Sequence, residues 1–101
     1  MATVNSLIRT AEFDEWLRRL RDVRGKARIL ARLEAAELGN FGDCEPVGEG
    51  VVEMRVHTGP GYRVYFTRQG KLVYVLLLGG DKSTQRRDIK RAIWLARELE
   101  E

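Results

Sequence analysis

Apolar residues at helical spacing open the chain. Phe13, Trp16, Leu17 and Leu20 recur at i, i+3, i+4 and i+7, which predicts an amphipathic helix with Thr10 as its N-cap. Glu12, Asp14 and Glu15 lie in its first turns and Arg18, Arg19 and Arg21 in its last, the order that a helix dipole favours. Gly25 is expected to separate it from a second helix over about Lys26–Leu38. Ile29, Leu30, Leu33 and Ala36 face inward there, and Gly39 is the stop. Thr3–Ile8 is a candidate first strand.

The period then changes to two. In Val51–Thr58, Val52, Met54 and Val56 take one face, and Glu53, Arg55 and His57 the other. Gly59-Pro60-Gly61 leads to Tyr62–Arg68, where Tyr62, Val64 and Phe66 oppose Arg63 and Tyr65. After a turn at Gln69-Gly70, Leu72–Leu78 is unbroken apolar sequence, expected to be the central strand of a three-stranded meander that ends at Gly79-Gly80. Cys44–Val47 reads as an edge strand because it holds Pro46. A last helix, capped by Ser83 or Asp81, carries Ile89, Ala92, Ile93, Ala96 and Leu99 on one face. The expectation is an α+β chain of one domain, with one sheet face buried and the other open.

Composition narrows the class. Charged residues make up 33% and apolar residues 44%, a globular balance. There is no long apolar run and no basic-then-apolar N-terminus, so neither a membrane helix nor a signal peptide is expected, and the cytoplasm is the expected compartment. Cys44 has no cysteine partner, and the lone His57 argues against zinc; no metal or cofactor is expected. The spacing matches no P-loop, dinucleotide fingerprint or GxSxG.

Charge adds two candidate surfaces. Arg18, Arg19, Arg21, Arg24, Lys26, Arg28 and Arg32 against Asp22 give Arg18–Arg32 a charge of +6; the chain totals +3, so the remainder is −3. Arg24, Arg28 and Arg32 share a helix face that would suit a phosphate backbone, or would simply be solvated. Arg55 and Arg63 project from neighbouring strands away from the core, where like charges repel. Either a bound polyanion accounts for them, or Glu53 pairs with Arg63. Tyr65, beside them, is a candidate for stacking a base.

The segments GNFGD (Gly39–Asp43), GVVEMRVHTGPGYRVYF (Gly50–Phe66) and LLLGGDKSTQRRDI (Leu76–Ile89), with Phe13, Trp16 and Leu17, resemble the RelE/ParE toxin superfamily and its HigB-like branch of phage-derived addiction-module killer proteins. The likeness runs nearly end to end. It implies an N-terminal helical hairpin on a small twisted, mostly antiparallel sheet with a C-terminal helix. It also implies a type II toxin with a helix-turn-helix antitoxin as partner, operator DNA being met only through that complex. The implied activity is ribosome-dependent mRNA cleavage without metal, with gyrase poisoning of the ParE kind as the alternative. Carried over by position, Arg55, Arg63 and Lys82 are the catalytic cations, and Gln85 and Asp88 come from the same segment as Lys82. Tyr65 and His57 are candidates for proton transfer. Arg18, Arg21, Arg24, Lys26, Arg28 and Arg32, with Gln85, would meet RNA or ribosome. The chain ends ARELEE, without the Tyr or His that several relatives carry near the C-terminus.

Overall fold

A computed structural model describes residues 4–100. Along the chain come β1 (Ser6–Arg9), α1 (Ala11–Arg19), α2 (Val23–Glu37), β2 (Cys44–Gly48), β3 (Val51–Val56), β4 (Tyr62–Arg68), β5 (Val73–Asp81) and α3 (Gln85–Leu99). A 3-10 turn, Lys82–Thr84, joins β5 to α3. The architecture is α+β, with the five strands in one sheet ordered β1-β5-β4-β3-β2. All neighbours are antiparallel except β1, which runs parallel to β5.

The helices form where the periodicity predicts them, and local chemistry sets their ends. Thr10 Oγ1 accepts the Phe13 N–H at 3.0 Å and caps α1. Asp22 Oδ1 accepts the Gly25 N–H at 3.0 Å and caps α2, so that helix begins at Val23 rather than Lys26. Gly25 is therefore not a separator. It lies buried in the first turn of α2, where a Cβ would overlap the Tyr62 ring. Gly39, at φ +95°, follows the helix end as expected.

Both faces of the sheet are covered, against the expectation of an open face. Phe13 and Leu17 of α1 and Ile29, Leu33 and Ala36 of α2 pack on Met54, Val56, Tyr62, Val64, Phe66 and Leu76. Across the sheet, Ala92 and Ala96 of α3 pack on Val51, Tyr65, Val75, Leu77 and Leu78. Small residues at these two α3 positions let the helix axis approach the strands. Leu99, expected on the buried face, is 38% exposed.

Three strand expectations change. β1 begins at Ser6, and Thr3 lies outside the described residues. The central strand is β4, because β1 pairs on the far side of β5. Gly79 and Gly80 do not end β5 but lie inside it, with a Cβ on Gly79 overlapping Trp16 of α1 and one on Gly80 overlapping Asp88 of α3. The pair lets two helices press on opposite faces of one strand.

Candidate functional site

Register assembles the site. Arg55 of β3 stands directly opposite Arg63 of β4, and Glu53 opposite Tyr65, on the face that carries α3. The carboxylate of Glu53, 1% exposed, lies among four side chains. Its Oε1 faces Arg55 Nε at 3.3 Å and Arg63 Nε at 3.7 Å. Its Oε2 accepts from the Tyr65 hydroxyl at 3.0 Å and from Gln85 Nε2 at 2.8 Å. Both arginines thus share one buried counter-charge, the ion-pair alternative in a form that serves them together.

The two guanidiniums differ in what remains free. Arg55 also pairs through Nη2 with Glu45 on the edge strand β2. Arg63, 8% exposed, donates through Nη1 to the carbonyls of Gly61 and Tyr62 at 3.2 and 3.3 Å. Its Nε is buried without a hydrogen-bond partner, and among the described residues its Nη2 donates to nothing. A nearly buried cation with a donor unspent is able to take an anion that completes its bonding.

A concavity of about 530 Å³ lies beside it, lined by His57, Thr58, Gly59, Pro60, Gly61, Arg63 and Lys82. Lys82 is exposed, on the 3-10 turn that Asp81 caps through the Ser83 N–H at 2.8 Å. His57, just past β3, sets its Nε2 2.6 Å from Asp43 Oδ2. That contact holds the Asp43 carboxyl below its usual range. Ser83 and Thr84 of the 3-10 turn, with Arg86, Arg87 and Lys90, line a second concavity of about 420 Å³.

Of the residues singled out in the sequence, His57, Arg63 and Lys82 come together, with Arg55 one strand away. Tyr65 does not join them. It is fully buried, its hydroxyl is bonded to Glu53, and burial drives its phenol far above the ordinary value, so it neither stacks a base nor trades a proton at the surface. Gln85 points to Glu53 rather than outward. Asp88 is buried, its Oδ2 accepting from Thr84 Oγ1 at 2.5 Å.

The basic stripe of α2 is also divided. Arg32 donates to the carbonyls of Arg55 at 2.5 Å and Phe41 at 2.9 Å, tying the loop before β2 to β3. Arg18 is ion-paired with Glu15. Lys26 is half-buried in a hollow with Arg9, Asp14, Leu17, Arg18 and Leu30. Arg21, Arg24 and Arg28 are exposed and, among the described residues, unpaired. Trp94 is 47% exposed under the Arg91 guanidinium, 4.7 Å above its ring, while Leu95 packs toward the α3 core.

Sequence reasoning missed Glu45, Asp43 and the α3 cations Arg86, Arg87 and Lys90. A signal for the last is present: QRRDIKR opens a helix with four cations against one acid. The denser run at Arg18–Arg32 overshadows it.

An α+β protein with a basic concavity over a charged sheet network is the class these features define. Residues 15–100 match the profile of the family described as "Phage derived protein Gp49-like". The chain is also 50% identical over 90 residues to an uncharacterised protein of Haemophilus influenzae, covering 89% of this chain and 91% of that protein. The chain belongs to the Gp49-like phage-derived family.

Proposed function

We propose that this protein is the toxin of a type II toxin–antitoxin pair and that it cleaves mRNA. The observation that supports this reading is Arg63, a nearly buried guanidinium with unspent donors beside His57 and Lys82. Membership of a phage-derived family agrees with it, as does the resemblance to RelE-like toxins in GPGYRVYF and GGDKSTQ.

In the chemistry proposed, the RNA 2′-oxygen attacks the adjacent phosphorus and the bond to the 5′-oxygen breaks. The products are a 2′,3′-cyclic phosphate and a 5′-hydroxyl. Arg63 and Lys82 carry the charge that builds on the non-bridging oxygens. His57 is the proton carrier, oriented by Asp43 through Nε2. Its other nitrogen takes the 2′-hydroxyl proton, and the 5′-oxygen leaves with a proton from Lys82 or solvent. Arg55, held by Glu45 and Glu53, supports the field rather than touching substrate. The strand continues over the 3-10 turn onto Arg86, Arg87 and Lys90, with exposed Arg21, Arg24 and Arg28 as a second cationic surface. Dependence on the ribosome, the HigB-like assignment, the cytoplasm as workplace and a helix-turn-helix antitoxin as partner belong to the same proposal.

The test is cleavage of a defined mRNA with and without programmed ribosomes, cut sites being read by primer extension. Arg63→Ala and Lys82→Ala should each lose roughly 10²–10³ in rate, with antitoxin binding unchanged. A wild type that arrests growth yet leaves mRNA intact in both settings would sink the nuclease reading and turn attention to gyrase supercoiling.

A further inference from the structure

Glu53 touches no substrate in the chemistry above, yet three elements converge to hold it. It stands on β3, Tyr65 reaches it from β4, and Gln85 from the first turn of α3. A carboxylate 1% exposed is costly to bury, and a sheet face that only needed filling would do as well with an apolar residue of similar size. The structure therefore calls for a reason other than packing.

The register supplies one. Arg55 and Arg63 are direct cross-strand partners, a pairing of like charges that drives the two guanidiniums apart. Glu53 Oε1 faces the Nε edge of both, at 3.3 and 3.7 Å. For Arg63 the charge contact to Glu53 on the Nε side and the Nη1 bonds to the Gly61 and Tyr62 carbonyls together hold the guanidinium plane, leaving Nη2 unspent among the described residues. Held so, Arg63 lines the concavity shared with His57 and Lys82. Tyr65 and Gln85 occupy the second oxygen, so the carboxylate cannot rotate to favour one arginine over the other.

We infer that Glu53 is a positioning residue that aims the Arg63 guanidinium at the scissile phosphate and steadies Arg55 behind it, with Gln85 and Tyr65 holding it in place. The inference rests on the nuclease reading for its kinetic consequence but not for its geometry. Glu53→Gln keeps the side-chain shape and removes the charge that both Nε groups face. Aim matters most in the transition state, so kcat should fall about tenfold or more while KM stays level or drops, one negative charge near the RNA having gone. The Nε–H signals of Arg55 and Arg63 in side-chain NMR, sharp in the wild type, should average with the exposed arginines.

Gln85→Ala is the second variant, because Gln85 lies outside the sheet and its loss leaves the strands intact. It should lower kcat by a few-fold with KM unchanged and broaden the same two signals. A Gln85→Ala protein with raised KM and unchanged kcat would make Gln85 an RNA contact and overturn the inference. So would two ordered Nε–H signals in a folded Glu53→Gln protein. If the wild type cleaves no RNA, the nuclease reading fails, and the NMR arm decides the positioning role alone: signals lost in the variants uphold it, signals kept refute it.

Discussion

Tyr62 and Asp22 bind each other across forty residues, and the two ends of that bond titrate in opposite directions. The Tyr62 hydroxyl donates to Asp22 Oδ2 at 2.8 Å, while Asp22 Oδ1 caps α2. The Gly25 N–H and then Tyr62 hold the Asp22 carboxyl below its usual range, whereas burial and then Asp22 push Tyr62 up from 10.0 to about 12. A depressed carboxylate stabilises the fold above its unfolded pKa, and that contribution is lost as pH falls through the folded value. A raised phenol stabilises it below 10.0, and the contribution is lost as pH rises through about 12. Tyr62→Phe should cost about 1 kcal/mol at neutral pH and remove this part of the alkaline decline, leaving the acid limb in place. Thermal melts of both proteins across the alkaline range check it; identical alkaline limbs would refute the assignment.

At the scale of elements, β5 is the strand that two helices press from opposite sides, and its glycines make that possible. Gly79→Ala should push Trp16 and α1 off the sheet, and Gly80→Ala should displace Asp88 and the start of α3. Each should destabilise by about 1–3 kcal/mol, although alanine loses less backbone entropy than glycine on folding. Denaturant midpoints measure this. Gly80→Ala should disturb activity more, since Gln85 and Lys82 flank the displaced turn. These glycines also mark how far the sequence can be read. The three helices, β2 to β4 and the face bearing Arg55 and Arg63 were legible, because alternation and helical spacing are local. The extension of β5 through a glycine pair was not, because its cause is the approach of Trp16 and Asp88 from elsewhere in the chain. The parallel pairing of four-residue β1 and the fate of Tyr65 were hidden likewise: alternation gives a side chain's face but not what lies over it.

Across the whole molecule, spatial arrangement divides what net charge lumps together. In the +6 segment Arg32 is spent on backbone carbonyls and Arg18 on Glu15, while Lys82 lines the Arg63 concavity and Arg86, Arg87 and Lys90 line a second one. On the proposed function, binding of a non-cleavable single-stranded RNA should weaken steeply with salt. Arg86→Ala and Arg87→Ala together should lower the log–log slope by about 1.4, roughly 0.7 for each phosphate no longer neutralised. The same pair of changes at Arg24 and Arg28 gives the comparison; a larger effect there would move the strand's path to α2. The order of pairing carries a last consequence, one of timing. β1 is synthesised first but stays unpaired until β5 is made, since Ser6–Arg9 must wait for Val73–Leu76, and the Gln85 that anchors Glu53 comes later still. On the proposed function, a half-made chain has neither a finished sheet nor a fixed guanidinium pair. On that reading the message being translated is spared by its own nascent product, and toxicity waits until Gln85 has emerged.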